Sequence, residues 1–388
     1  MPYCKECGKE LEHDAKFCPH CGTRVSIKVL RAPKRPKARS KKIGRKVIAR
    51  TVIAVIAIVV TAGIIVVLMT AARGPTRWLS GWSYRRPITI TERSGSTLTD
   101  YQVLVTLDTS SIIAQGKMRT DAGDLRFTAS DGTSLPYWIE SGVNTSLTKI
   151  WVEVPSIPRS STENIYAYYG NPSASSANSG DETFDFFDDF PGTDLDTNKW
   201  AHAETGRYVV GEGTIKVDIP TLRSRAMINS LQSFPINSAV RTLVRKVTTG
   251  SDLRGPIKTV GFSDLSGNDA YTHSEFFGES WFTVIVQNDN SGEYYPGDIG
   301  GGSSDWYVLE CRWYTNGVRS VSYWKNDIHQ YTLTHDYVPD SSDHLKVFVS
   351  TRTYSTGNNN TGYTEVDWLA VRKCVSADPT ANVGPEET

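Results

Sequence analysis

The chain has 388 residues, 39% of them apolar and 22% charged, enough to bury one or two cores and inconsistent with a wholly disordered polymer. Lys plus Arg equals Asp plus Glu at 42 each, but residues 1–50 hold 15 of the bases and only 4 of the acids. The remainder is therefore net acidic. That excludes a uniformly basic nucleic-acid binder, and no nucleic-acid partner is expected. Six cysteines exclude a disulfide-dense secreted scaffold.

Four of those cysteines fall at the start of the chain. Cys4, Cys7, Cys18 and Cys21 form two C-x2-C pairs, a spacing that lets four thiolates converge on one tetrahedral zinc ion. Gly8 and Gly22 follow the pairs and supply the positive φ of a tight knuckle. Residues 1–24 are too few to build a core, so structural zinc is expected to provide their folding free energy. Two disulfides are the alternative in an oxidising compartment. Four thiolates leave no open position for catalysis.

Residues 25–50 read as a basic juxtamembrane linker; from Gly22 to Arg50 there are 12 Lys or Arg and no acid. Residues 51–72, TVIAVIAIVVTAGIIVVLMTAA, are uncharged over 22 positions. A helix of that length is about 33 Å long, and a bilayer core is about 30 Å thick. A single retained transmembrane helix follows. The positive flank places the amino terminus in the cytoplasm and everything after it outside the cell. A cleaved signal or a leader processed near Gly44 suits the flanks less well.

All ten tryptophans lie beyond residue 77, among alternating segments such as YRRPITIT, YQVLVTL and KIWVEV. The pattern predicts antiparallel β-sandwiches outside the membrane. A small polar run at 171–183 divides them into blocks at 78–170 and 184–376. The second block is large enough for a jelly-roll-like double sheet. The tail at 377–388 has no apolar run and is expected to be disordered.

The segments WSYRRPITI (82–90), GDLRFTASDGTSLPYWIE (123–140), KIWVEVPSIP (149–158) and IYAYYGNPSASS (165–176) resemble the family called domain of unknown function 2341, found in archaeal and bacterial surface proteins. FFDDFPGTDLDTNKW (186–200) resembles the opening of a concanavalin A-like (LamG-like) lectin or glucanase sandwich, and the segment at 365–387 its usual end. CKECGKELEHDAKFCPHCGTR resembles the zinc ribbons that open many prokaryotic membrane proteins. The resemblance implies a surface protein with a carbohydrate-binding sandwich.

Glucanases of that fold carry E-x-D-x-x-E on one strand, because alternate residues share a face. Here Glu365 and Asp367 are followed by Ala370, and Glu275 and Glu279 lack the intervening Asp, so no catalytic residue is assigned. The histidines at 202, 273, 329, 335 and 344 stand in no nucleophile motif, and GDIGGGSSD (297–305) precedes no helix. In WYVLECRWY (306–314), Tyr307, Leu309, Cys311 and Trp313 read as core. Trp306, Glu310, Arg312 and Tyr314 are candidate ligand contacts, with Trp281 beside them. Asp188, Asp189, Asp194 and Asp196 form an oxygen-rich opening, a candidate for calcium as well as for turn capping. Cys311 and Cys374 are expected to pair as a disulfide, and Asn144 and Asn359 begin N-glycosylation sequons.

The expectation is a single-pass cell-surface binding or adhesion protein, not an enzyme, that takes a glycan or surface protein outside. Its zinc ribbon would meet a cytoplasmic partner. The alternatives are a structural envelope or filament component and a membrane-anchored polysaccharide hydrolase.

Overall fold

The structure is a computed structural model. It describes residues 3–24 except 5 and 12–15, and residues 78–388 except 204–205, 220–224, 250–256, 266–268, 278, 288–292, 295–304, 337, 341 and 353–360. The chain divides into two units, residues 1–72 and 73–388. The segment read as a membrane span lies outside the described residues. Among the described residues no helix is long and apolar enough to cross a membrane.

In the larger unit the chain runs β1 (Tyr84–Thr91), β2 (Leu98–Leu107), α1 (Thr109–Ala114), β3 (Arg126–Ala129), β4 (Ser134–Leu135), β5 (Tyr137–Ser141), β6 (Thr148–Ile157) and β7 (Thr162–Tyr169). After α2 (Gly180–Thr183) come β8 (Phe186–Asp188), β9 (Trp200–Ala203), β10 (Arg207–Gly211), β11 (Thr214–Ile219), β12 (Arg225–Phe234), β13 (Ser238–Thr249) and β14 (Ile257–Ser263). Then follow β15 (Asp269–Phe277), β16 (Glu279–Gln287), β17 (Glu293–Tyr294), β18 (Tyr307–Thr315), β19 (Arg319–Lys325) and β20 (Ile328–Leu333). The chain closes with β21 (Leu345–Arg352), β22 (Thr361–Lys373) and β23 (Thr380–Val383).

Two sandwiches result. The first packs the sheet β23-β1-β7-β3-β4 on the sheet β2-β6-β5. The second packs β10-β11-β22-β13-β18-β19-β20, with β8 also on β22, against β17-β16-β15-β14-β21-β12-β9. Each has its own core: Ile88, Val103, Phe127, Ile150 and Ile165 in the first, Ile215, Val240, Phe262, Leu309, Trp313 and Val349 in the second. The alternation read in WYVLECRWY is real, since Tyr307, Leu309, Cys311 and Trp313 all enter the second core.

Strand β6 shows why the two sandwiches meet. Ile150, Val152 and Val154 face the first core, while Trp151 on the opposite face joins a separate cluster. That cluster contains Trp138 and Trp151 from the first sandwich and Phe184, Phe187 and Trp368 from the second. Trp138 stands edge-on to Phe187 and to Trp368, each at 5.0 Å between ring centroids. Both faces of the three-stranded sheet therefore bury apolar side chains, one on its own core and one on its neighbour.

One expectation about the segments flanking the second sandwich is corrected. The tail 377–388 is not disordered: β23 pairs antiparallel with β1, setting Ile88 opposite Val383. Ala381 and Val383 pack on the first core, Glu387 pairs with Arg85, and Glu386 accepts from Tyr169 at 2.7 Å and pairs with Lys117. The second sandwich is thus inserted between two strands of the first. The polar run 171–183, which links the two sandwiches, carries its own hydrogen bonds. Asn178 accepts from the Ile139 amide, Ser179 caps α2, and Arg119 donates to the Ala174 carbonyl. Polarity in both segments serves backbone pairing and caps, because an edge strand needs few apolar side chains.

Candidate functional site

The amino-terminal cysteines form two equivalent knuckles. In each, the glycine amide after the second cysteine donates to the carbonyl of the first, Gly8 to Cys4 and Gly22 to Cys18, both at 2.9 Å. Gly8 and Gly22 sit at φ +69° and +73°, where an L side chain is strained. The four sulfurs lie within 4.8 Å of one another, with Cys4–Cys21 and Cys7–Cys18 at 3.6 Å. Tetrahedral zinc, with Zn–S bonds of about 2.3 Å, needs sulfur–sulfur edges of about 3.8 Å. The four-cysteine set fits a structural zinc ion, and bound zinc supplies the cross-link that a core would otherwise provide.

The outer face of the seven-strand path in the second sandwich carries most of the remaining candidates. Its β19–β20 end is covered by the first sandwich through buried ion pairs. Arg241 on β13 donates to Glu140 of β5 twice at 2.8 Å, to Glu310 at 2.9 Å and to Asp327 at 2.6 Å. Arg372 donates to Glu310 at 2.7 Å and to Asp378 at 2.8 Å, and Arg312 pairs with both acids. Burial would raise the Glu310 carboxyl, but Arg312, Arg372 and Arg241 outweigh it and hold it well below the usual carboxylate range. The Trp151 indole donates to Glu140, while the Arg241 and Arg372 guanidinium groups lie 5.4 and 5.0 Å from its ring centroid.

Several site assignments are corrected by this arrangement. Glu310 is buried among three arginines and is not a ligand contact. Tyr314 is buried with Ala239 and Cys374 and is not one either. Cys311 and Cys374 are thiols rather than a disulfide. Cys311 faces the inter-sheet core while Cys374 packs with Tyr314 on the other side, so the sheet itself separates them. Arg312 remains at a surface, its guanidinium 4.3 Å from the Trp324 ring centroid. The Trp281 side chain and Asn359 lie outside what is described. Asn144 sits exposed at φ +62° between β5 and β6.

The β11 end of the same face carries a cross-strand ladder. Lys216, Glu365 and Arg245 are register neighbours on β11, β22 and β13. Glu365 is 3% exposed and accepts from Arg245 and from Thr214, with Lys216 at 3.5 Å. An aromatic ring flanks each cation, Trp306 beside Arg245 at 4.9 Å and Tyr363 beside Lys216 at 5.7 Å. A bulge opposite Leu243 and Val244 leaves Asp367 as the extra residue of β22. Burial first, then the charges of Asp189 and Glu365, raise its carboxyl above the usual range. Glu275 and Glu279 lie on β15 and β16, whose backbone alone is described.

The acids at the opening of the second sandwich do not converge. Asp188 accepts from the Phe190 amide and the Trp200 indole, Asp194 from the Leu195 amide and the Tyr208 hydroxyl, and Asp196 from the Asn198 amide. Asp188 and Asp196 thereby cap turns, each accepting from the amide two residues on. The cysteine set is the metal-ligand grouping found among the described residues.

Between the two sandwiches and the last segment lies a cleft of about 340 Å³, lined by Leu104, Thr106, Arg312, Trp324, Asp327 and Asp378 among others. Asn326 and Asp327 both have positive φ, +50° and +64°, the tight two-residue turn that joins β19 to β20. The turn brings Asp327 onto Arg241 and Lys149. Sequence reasoning missed Glu140, Arg241, Arg372 and Trp324. The available signal was the pair of arginines on one face of β13, Arg241 and Arg245, separated by Leu243 in a strand whose other face carries Val240 and Val244.

No curated protein matches the chain. Among solved structures, a β-1,3-glucanase from Mycobacterium marinum is 14% identical, covering 48% of this chain and 98% of that one with a TM-score of 0.38. An immunostimulatory antigen and pseudo β-1,3-glucanase of Mycobacterium tuberculosis is 13% identical, covering 50% and 99% with a TM-score of 0.39. A structure described with endo-acting O-glycanases of human gut microbiota is also 13% identical, covering 50% and 100% at 0.39. At these scores the likeness decides nothing about activity. Residues 3–25 match the family model of a zinc-ribbon domain. Residues 121–203 match that of a domain of unknown function, DUF2341, a stretch that runs from the second half of the first sandwich across the junction to β9.

Proposed function

We propose that this chain is a carbohydrate-binding surface protein whose second sandwich binds glycan without cleaving it. The observation that carries this reading is the Lys216–Glu365–Arg245 ladder between Tyr363 and Trp306. Aromatic rings offer stacking surface, and a paired carboxylate and guanidinium offer acceptors and donors to sugar hydroxyls. Glu365 already serves three partners, which does not suit a nucleophile. The test is binding of the full chain to a glycan panel, with and without calcium. Trp306→Ala should weaken binding at least tenfold; unchanged binding sinks the ladder as the site.

Hydrolysis is a second reading, favoured by one observation: Asp367 has a raised carboxyl beside Glu365, as a general acid requires. Sugar release by the wild type that is lost in Asp367→Asn would establish it.

Residues 51–72 and the basic flank before them support a single membrane span with the sandwiches outside. Protease digestion of intact cells should remove the sandwiches and spare the ribbon. Tyr3 and Phe17, each just before a knuckle and 64% and 57% exposed, support a protein contact for the ribbon.

A further inference from the structure

We infer that the cleft between the two sandwiches is a second binding site, for a neutral polyhydroxylated ligand such as the end of an uncharged oligosaccharide. The choice of sugar as ligand class rests on the carbohydrate reading above; the geometry of the cleft does not. Its volume, about 340 Å³, falls at the lower end of small-ligand pockets, which run from about 300 to 1,000 Å³. It draws its walls from five separate parts of the chain, β6 and β13 among them through Trp151 and Arg241. β2 contributes Leu104 and Thr106, the β18–β20 region contributes Arg312, Trp324 and Asp327, and the segment entering β23 contributes Asp378.

The charge pattern selects the ligand. Every ionic group on the walls is already matched: Arg312 with Glu310 and Asp378, Arg241 with Glu140 and Glu310, Asp327 with Arg241 and Lys149. An anion or cation would gain no net attraction and would have to compete with a pair already formed. A neutral hydroxyl can share what the pairs leave over. Asp327 accepts from Arg241 and Lys149, two of the about four hydrogen bonds a carboxylate can take. Thr106, exposed, lines the same space, and Trp324 and Leu104 supply apolar surface for a sugar's carbon face.

The site differs from the ladder in its residues, so one titration separates them. The full chain is titrated by calorimetry with neutral gluco- and manno-oligosaccharides and with uronic-acid oligosaccharides. Two classes of site are expected for a neutral ligand. Thr106→Trp, which plugs the cleft from an exposed position outside the ion pairs, should remove one class or weaken it at least tenfold. Trp324→Ala should weaken the same class, and Trp306→Ala only the other. A single class abolished by Trp306→Ala and untouched by Thr106→Trp and Trp324→Ala overturns the cleft and leaves the carbohydrate reading standing. Uronic-acid chains occupying the Thr106-sensitive class as well as neutral ones overturn the neutral assignment. No binding of any sugar removes both readings.

Discussion

Arg241 and Glu140 are joined by two hydrogen bonds of 2.8 Å and belong to different sandwiches. Their side chains are 3% and 1% exposed. The same guanidinium reaches Glu310 and Asp327, so a single buried cation ties together β5, β13, β18 and the β19–β20 turn. Desolvation of such groups is offset only because each has several partners.

Removing Arg241 should therefore be severe. Arg241→Ala leaves Glu140 and Glu310 buried with less charge to balance them, and a broken buried pair costs about 3–5 kcal/mol. Denaturant unfolding should show that loss across the unit, with new proteolytic cuts in both sandwiches. A loss below about 1 kcal/mol would mean the pairs are solvated in solution.

The junction should also weaken in acid. Glu310 is held well below the usual carboxylate range, and Asp378 and Asp327 are lowered too; in all three burial opposes the shift and the arginines outweigh it. A depressed carboxyl binds protons more weakly folded than unfolded. Its contribution is full above the unfolded value of about 4 and is lost as pH falls through the folded value. The thermal midpoint, read by tryptophan fluorescence, should drop steeply below about pH 4, and Glu310→Gln should flatten that slope. All ten tryptophans lie past residue 77, so the ribbon is silent in this assay. An equal slope in the variant would reject the assignment.

Strand β23 closes the first sandwich. Deleting residues 380–388 removes the partner of β1, the Ala381 and Val383 contacts and the pairs from Glu386 and Glu387. We expect a loss of about 2–4 kcal/mol and protection from proteolysis to fall first around β1. Unchanged unfolding would show that the segment is dispensable.

The two sandwich thiols should resist alkylation in the native protein. Burial pushes the Cys374 thiol up to about 12 and the Cys311 thiol higher still. Mass spectrometry should find both unmodified by iodoacetamide in buffer and both labelled in denaturant, without prior reduction. Labelling that requires a reductant would show a disulfide.

The ribbon should carry a single zinc ion. Cys18→Ser should release it and a chelator should unfold the knuckles, while the sandwich unfolding transition stays in place. Gly22→Ala should cost about 1 kcal/mol, because φ is +73° there and no atom crowds the added methyl. Metal content of the purified chain checks both.

What could be read in the chain without a fold was local. Two C-x2-C pairs specify a tetrahedral thiolate set because the spacing fits within one knuckle each. Period-two alternation specified the strands and separated Leu309, Cys311 and Trp313 from their neighbours, because a pleat sends successive side chains to opposite faces. Alternation cannot say what lies against the outward face. Glu310 and Tyr314 read as solvent-facing candidates, yet the first sandwich and the chain end cover that face. The polar tail read as disordered, yet its backbone supplies a strand whose partner is nearly 300 residues away in sequence. The cleft and the ladder arise from segments remote in the chain, and only tertiary packing, which sets charge against charge across the junction, decided which acids and rings remain open to a ligand.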